Sequence, residues 1–373
     1  MTAPVQYPAA GLVPFSATGP ASPTGGKRAG SAGPGSSSGA RRFLASLFAC
    51  LRNPWPDRRA ERTLGGVSLL VSASVIAMIV FVGIRAWPIF AHNGISWLGP
   101  GGNLETEIGN MQATSVNPPA AAFHLRAWPL VYGTLLTSAI AVVLGLAIAV
   151  LSSIFIVELA PARLRKVVIP VIRLLASVPS VIYGLIGVLV LVPFVGNHLV
   201  TASEKASEQN VVELTGAGLG VAAVILTVMI TPIMIALICE ALIAAPTSWR
   251  EGAVALGLNP LRAVLAVTLR GVRPAIVAAA VLATARALGE AVMIQMVSGG
   301  RSFEPNPAAG VVFFYEPLRT LASAIVDYHE GVGAPALKAT LYAFAALLLF
   351  AACVLSIGGY LVKLPLRKYQ TRG

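Results

Sequence analysis

The chain has 373 residues, of which 56% are hydrophobic and only 11% are charged, and its mean hydropathy is +0.79. Soluble domains carry roughly 25% charged residues, so a chain this apolar must place much of its surface in lipid. The composition excludes a secreted disulfide scaffold, a typical soluble enzyme and a wholly disordered protein.

The net charge of +12 raises the question of nucleic-acid binding. The Lys and Arg residues, however, lie in short clusters between apolar stretches. Most of them fall in the N-terminal tail, in the loops after the second and fourth stretches, and at the C-terminus. This asymmetry is typical of the positive-inside rule, so we predict cytoplasmic N- and C-termini and no nucleic-acid partner.

The N-terminal region differs in composition from the rest of the chain. Residues 1–40 are dominated by Ala, Pro, Gly and Ser, which predicts disorder. Residues 43–51 form an apolar run that is too short to cross a bilayer, which predicts a short interfacial helix. We therefore divide the chain into a cytoplasmic low-complexity tail, residues 1–62, and a transmembrane domain, residues 63–373.

Six apolar stretches approach or exceed the roughly 20 residues that a helix needs to cross a bilayer. They cover residues 64–84, 129–157, 167–194, 219–241, 274–297 and 337–362. We expect Pro179 to kink the third stretch and Pro232 to interrupt the fourth. Arg173 and Glu158 lie near cytoplasmic ends of these stretches, where snorkelling or local pairing accounts for them. The predicted fold class is an all-α polytopic membrane protein with six transmembrane helices in a lipid bilayer.

The cytoplasmic loop over about residues 244–273 is long for a connection between helices. Its first half, residues 249–258, predicts a short helix with Thr247 and Ser248 as its cap. An Asn-Pro pair ends this helix, and residues 261–269 predict a second, amphipathic segment.

This loop resembles the coupling loop of binding-protein-dependent ABC importer permeases. The family pattern is Glu-Ala-Ala, then Gly four residues on, then Ile-x-Leu-Pro about ten residues later. Glu251, Ala253 and Gly257 match it, whereas Gly252 replaces an Ala and Arg270 stands where the family has Pro. The resemblance implies that Glu251, Gly252, Ala253 and Gly257 form a helix that docks on a separate ATPase subunit. A plain interfacial loop is the alternative.

Two ionisable residues, Arg286 and Glu290, lie near the middle of the fifth stretch. Charges at this depth are costly and mark function, and a pair one helical turn apart reduces the cost. The two residues share a predicted helical stripe with Ala279, Ala283, Met293 and Val297, a face suited to line an inward cavity. Because a guanidinium grips a tetrahedral oxyanion well, we predict Arg286 in a substrate pathway, with Glu290 orienting it. A purely structural salt bridge is the alternative.

Further motifs extend the resemblance over residues 64–362. They are YGTLLTS, ELAP, SVPSVIYGL and RALGEA, at residues 132–138, 158–161, 177–185 and 286–291. With them the chain resembles the C-type permease subunit of phosphate-specific ABC importers, which have the type I ABC importer permease fold. The resemblance implies that Pro179, Ser180 and Tyr183 lie beside the permeation pathway. For Pro179, a helix kink without ligand contact is the alternative.

The resemblance implies a permease subunit of an ATP-driven inorganic phosphate importer in the bacterial cytoplasmic (inner) membrane. The subunit would form half of the translocation pathway. The implied partners are a second, A-type permease subunit, two nucleotide-binding ATPase subunits and an external phosphate-binding protein.

The chain has no G-x-x-x-x-G-K-[ST] phosphate loop and no recognisable catalytic or metal-binding motif. We therefore expect no catalytic residue, metal or cofactor in this chain, and ATP and Mg to be used by the partner ATPase. One alternative is the same machinery acting on sulfate, molybdate or phosphonate. A second is an ion-coupled secondary transporter, which would need internal repeats or more ionisable groups within the membrane.

Overall fold

The computed structural model describes residues 57–99, 103–113, 119–208 and 214–367. The disorder predicted over residues 1–40 and the interfacial helix predicted over residues 43–51 lie outside these ranges. The chain divides into two compact units, Met1–Leu70 and Val71–Gly373. The described residues of the first unit form the start of a helix.

The described residues form an all-helical fold. In chain order, the helices are α1 (Asp57–Asn93), α2 (Leu104–Ala113), α3 (Trp128–Ile154), α4 (Ala162–Ala176), α5 (Ser180–Ile186), α6 (Ala202–Glu208), α7 (Leu219–Ala244), α8 (Thr247–Ala255), α9 (Pro260–Ala263), α10 (Arg273–Leu288), α11 (Val292–Val297), α12 (Leu321–Asp327) and α13 (Pro335–Arg367). Segments that include π turns continue α3 to Leu159, α5 to Leu199 and α9 to Gly271.

Among the described residues, five helical segments are long and apolar enough to cross a membrane. They are Arg62–Asn93, Trp128–Leu159, Ser180–Leu199, Leu219–Ala244 and Pro335–Val362. The extended α9 and α10, which meet at a bend of 65°, make a sixth if they are counted as one span. The helices predicted over 64–84, 129–157, 219–241 and 337–362 are therefore confirmed. Pro232 does not interrupt α7.

The third predicted span, residues 167–194, is wrong at its start. The chain leaves the helix after Ala176, and α5 begins at Ser180, directly after Pro179. Proline supplies no N–H, and it disfavours helical geometry in the residue before it. Helix α4 is a separate amphipathic helix with several basic residues, so the membrane-spanning part is Ser180–Leu199.

The fifth predicted span, residues 274–297, is wrong as a continuous helix. Helix α10 ends at Leu288 and α11 begins at Val292. Gly289, which has low helix propensity, follows α10 directly. A broken helix at membrane depth is tolerated where the freed backbone groups are buried in protein or line a cavity.

The main core surrounds α7, most of whose residues are buried. Helix α7 packs against α3, α4 and α10, with Leu226, Ile230 and Met234 fully buried. Gly145 of α3 allows this close approach, since a Cβ atom there would lie 2.8 Å from the Cε of Met234. Many outer residues of α5 and α13 are exposed and apolar, as lipid requires.

Candidate functional site

Helices α5 and α11 pack side by side next to the two helix breaks. A Cβ atom at Gly184 would lie 3.1 Å from the Cα of Met293, and one at Gly187 would lie 2.6 Å from Val297. Because both contacts advance in the same chain direction, the two helices run parallel, and their N-terminal ends lie within about one helical turn of each other. The structure thus brings the break at Pro179 next to the break that follows α10.

Tyr183 bridges the break at Pro179. Its hydroxyl donates a hydrogen bond of 3.0 Å to the carbonyl of Leu175, near the end of α4. Ser180 is the first residue of α5 and is half-buried. The kink proposed as the alternative for Pro179 is therefore present, and the Leu175 carbonyl there accepts from both the Tyr183 hydroxyl and the N–H of Val178.

Glu290 caps α11. Its side chain, in a residue only 9% exposed, accepts a hydrogen bond of 3.2 Å from the backbone N–H of Met293. Since the helix stops at Leu288, a spacing of four residues no longer places Glu290 on one helical face with Arg286. The predicted Arg286–Glu290 pair is therefore wrong: the ion pairs found among the described residues involve neither side chain.

The apolar members of the predicted stripe pack into the protein. Ala279, Ala283, Met293 and Val297 are all fully buried in the core around α7. They do not line a cavity, so the inward face predicted for this stripe is wrong for these residues.

Arg286 has an unusual environment in the last turn of α10. The residue is half-buried, and its Nε is buried without a hydrogen-bond partner in the described part of the chain. An unsatisfied buried donor costs about 1–3 kcal/mol, and more when the group is charged. Because guanidinium remains protonated, this site presents a fixed positive charge with free donor capacity. Such a group can bind an oxyanion.

The predicted coupling residues lie on and just after α8. Glu251 and Gly252 are exposed, whereas Ala253 is only 6% exposed and faces the protein. The outer surface of this segment also exposes Val254 and Leu256, and Leu256 is 84% exposed. The segment therefore presents an acidic residue beside apolar side chains.

Gly257 ends α8 in a left-handed conformation, with φ of +87°. The N–H of Gly257 donates to the carbonyl of Val254 at 2.9 Å, and that of Leu258 donates to Ala253 at 3.2 Å. This pair of bonds is the Schellman motif, in which glycine avoids the strain that a Cβ would cause. The glycine of the sequence pattern thus fixes where the helix stops.

The start of α8 differs from the prediction. The helix begins at Thr247, its N-cap is Pro246, and no side chain makes the capping hydrogen bond. The predicted caps, Thr247 and Ser248, are therefore wrong. The predicted second segment is present as α9, and the Asn259 side chain accepts a hydrogen bond of 3.0 Å from the N–H of Leu261.

A polar network between α11 and α12 was not predicted from the sequence. Gln295 donates to Asp327 at 2.7 Å, and Asp327 pairs with Arg319 at 2.7 Å. Arg319 is only 7% exposed and lies over the Tyr328 ring, and burial raises the pKa of the Tyr328 phenol. The sequence shows a group of charged residues after residue 300. Its spacing does not reveal that these residues contact α11.

Comparison with known proteins identifies the family. The model of the binding-protein-dependent transport system inner membrane component matches residues 141–364. The chain is 34% identical over 280 residues to the phosphate transport system permease protein PstC 1 of Mycobacterium tuberculosis, covering 72% of this chain and 80% of the relative. It is 32% identical over 252 residues to the probable ABC transporter permease protein YqgH of Bacillus subtilis, covering 66% and 73%.

These matches confirm the predicted fold class, an all-α membrane permease of the type I ABC importer fold. The apolar helices agree with a multi-pass protein of the inner membrane. The chain belongs to the family of binding-protein-dependent transport system inner membrane components.

Proposed function

We propose that this chain is the permease subunit of an ATP-driven inorganic phosphate importer and forms half of its translocation pathway. The similarity to phosphate transport permeases from several organisms supports the substrate. The observation that carries the proposal is the buried Nε of Arg286, which has no hydrogen-bond partner among the described residues.

Arg286 binds the transported anion in this proposal. Its guanidinium offers parallel N–H donors that match the oxygens of a tetrahedral oxyanion. The neighbouring helix start contributes Pro179, Ser180 and Tyr183 to the wall of the pathway. Ser180 supplies a hydroxyl there, and Tyr183 keeps the break in a fixed shape through its bond to Leu175.

Glu290 acts on the pathway indirectly. Its carboxylate holds the first turn of α11 and so fixes the break that follows Arg286. Because no ion pair ties Arg286 to Glu290 within the described residues, the guanidinium charge is not neutralised by this carboxylate. An arriving anion therefore meets a positive group that is partly desolvated.

Helix α8 couples transport to ATP hydrolysis in a separate subunit. Glu251, Gly252, Ala253 and Gly257 form a short, sharply ended helix with an exposed outer face. Apolar side chains beside a carboxylate suit a groove on a protein partner. ATP and Mg are used in that partner. The clustering of Lys and Arg on one side of the spans supports cytoplasmic positions for α8 and for both termini.

The complete importer contains protein partners of three kinds. A second, A-type permease forms the other half of the pathway, two ATPase subunits drive it, and an external binding protein delivers phosphate. ATP-driven closure and opening of the two permeases exposes Arg286 to each side in turn.

Uptake of radiolabelled phosphate into vesicles that hold the complete complex tests this function. We expect uptake that requires ATP and the binding protein and that persists with excess sulfate or molybdate. Uptake without ATP would indicate a secondary transporter, and displacement by sulfate or molybdate would assign another oxyanion. Either result would contradict the proposal.

A further inference from the structure

Two consecutive residues of α8, Trp249 and Arg250, contact two different helices. The Arg250 guanidinium forms an ion pair with the carboxylate of Glu158, in the π turn that extends α3. The Trp249 ring lies against Gly271, the last residue of the extended α9. Through these two adjacent residues, α8 contacts both the end of α3 and the end of the extended α9, while its outer face stays exposed.

The contact to α3 depends on charge. The Glu158 side chain is 8% exposed, whereas that of Arg250 is 44% exposed. A carboxylate with so little access to water relies on its partner, and loss of that partner leaves a buried charge uncompensated. Arg165 lies nearby, but its guanidinium donates to the backbone carbonyl of Val157 at 3.0 Å. Arg250 is therefore the side chain that pairs with Glu158.

A polar cavity of about 390 Å³ lies beside this ion pair. Glu158, Arg165, Arg250 and Thr268 are among its lining residues, and the Thr268 hydroxyl is buried without a hydrogen-bond partner in the described chain. Because apolar packing does not fill this space, the ion pair is the specific connection between α8 and the end of α3.

The contact at Gly271, just before α10, depends on shape. A Cβ atom at Gly271 would overlap the Trp249 ring, so the indole packs directly on the backbone there. Helix α10 begins two residues later, at Arg273, and carries Arg286 in its last turn. At 1.5 Å per residue, Arg286 lies about 20 Å along α10 from its first residue. Gly271 and Arg273 lie on either side of the 65° bend, so a displacement of Trp249 reaches α10 through that bend and Arg286 through α10.

We propose that Trp249 and Arg250 are the two transmission residues of this subunit. When the ATPase subunit moves α8, Trp249 displaces α10 and Arg250 displaces α3 through Glu158. Both helices pack on α7, so the two displacements act on the same core. This inference rests on the proposed function, in which α8 is the helix that the ATPase subunit moves.

The test compares variants in the complete complex, reconstituted in vesicles with the binding protein. For each one, phosphate taken up per ATP hydrolysed is measured together with the amount of ATPase subunit retained and the thermal stability. The variants are Arg250→Gln, Glu158→Gln, the exchange Arg250→Glu with Glu158→Arg, and Trp249→Ala. Arg262→Gln is the matched control, because Arg262 is an exposed arginine of the same loop.

We expect Arg250→Gln and Trp249→Ala to retain the ATPase subunit and hydrolyse ATP but to lose at least about tenfold in phosphate moved per ATP. The control keeps the wild-type ratio, and the charge exchange recovers most of the loss caused by Arg250→Gln. A merely structural role would lower stability or assembly and leave the ratio unchanged in the complexes that remain.

Wild-type ratios in Arg250→Gln and Trp249→Ala would overturn the inference. A charge exchange that assembles but recovers none of the ratio would overturn the role of the ion pair. Both results are distinguishable from failure of the proposed function, which appears as absence of ATP-driven phosphate uptake by the wild-type complex itself.

Discussion

The hydroxyl of Tyr183 donates a hydrogen bond of 3.0 Å to the carbonyl of Leu175. In a continuous helix this carbonyl would accept from the N–H of residue 179, which is proline and has none. The N–H of Val178 already donates to this carbonyl at 3.2 Å, and Tyr183 adds a second donor from the first turn of α5. The break between α4 and α5 is held in one geometry by this bond.

Tyr183→Phe should therefore loosen the break without removing a large side chain. Loss of one hydrogen bond is expected to cost about 1 kcal/mol of stability. Phosphate uptake should fall by more than the small loss of folded protein can explain, since the break lies at the proposed pathway. Thermal unfolding and uptake of the reconstituted complex check this. Tyr360→Phe, at an exposed tyrosine of α13, is the control, and equal effects in both variants would contradict the role given to Tyr183.

Glu290 should tolerate replacement by an isosteric amide. Glu290→Gln keeps an oxygen that can accept from the N–H of Met293, whereas Glu290→Ala removes it. The alanine variant should lose about 1 kcal/mol, as for other helix caps, and the glutamine variant much less. Chemical unfolding of both variants measures the difference. If glutamine is as damaging as alanine, the negative charge is required and the capping role is insufficient.

The exposed carboxylate of Glu251 should be required for docking of the ATPase subunit. Glu251→Lys reverses the charge of an exposed residue and leaves the buried contacts of α8 intact. We expect normal insertion of the chain into the membrane, with the ATPase subunit released or its hydrolysis uncoupled from uptake. Co-purification and uptake measure this outcome. Glu330→Lys, at an exposed glutamate outside the loop, is the control and should behave as wild type. Normal coupling in Glu251→Lys would contradict the docking role.

Two glycines of the same loop should respond in opposite ways. Gly257 has φ of +87°, so Gly257→Ala is expected to cost about 1 kcal/mol and to disturb the end of α8. Gly252 lies inside α8 with open space around its Cβ position, so Gly252→Ala should be neutral or stabilise the helix by up to about 1 kcal/mol. Thermal stability and ATPase retention are the readouts. Loss of retention in Gly252→Ala would show that the partner approaches this backbone too closely for a Cβ.

The long apolar helices could be predicted from the sequence because lipid imposes a length and a composition on each of them. The predicted ends of α7 and α13 agree with the observed ends within a few residues. The sequence pattern also singles out Gly257, and the structure shows that its positive φ ends α8.

The two broken spans were predicted poorly because hydropathy does not register a break. The apolar run over residues 167–194 continues through Pro179, so composition alone joins α4 to α5. Likewise, a spacing of four residues predicted the Arg286–Glu290 pair only while the helix was assumed to continue past Gly289. The contact between Arg250 and Glu158 links residues 92 positions apart, which local patterns do not encode.

The anion-binding role of Arg286 is the central claim, and ATP-driven phosphate uptake by the Arg286→Gln complex tests it most directly. The substitution keeps a polar side chain of similar length but removes the charge and the guanidinium donors. We predict that uptake falls about tenfold or more, while assembly and ATPase content stay at wild-type levels. Uptake at the wild-type rate in a fully assembled complex would contradict the claim and leave Arg286 a structural residue.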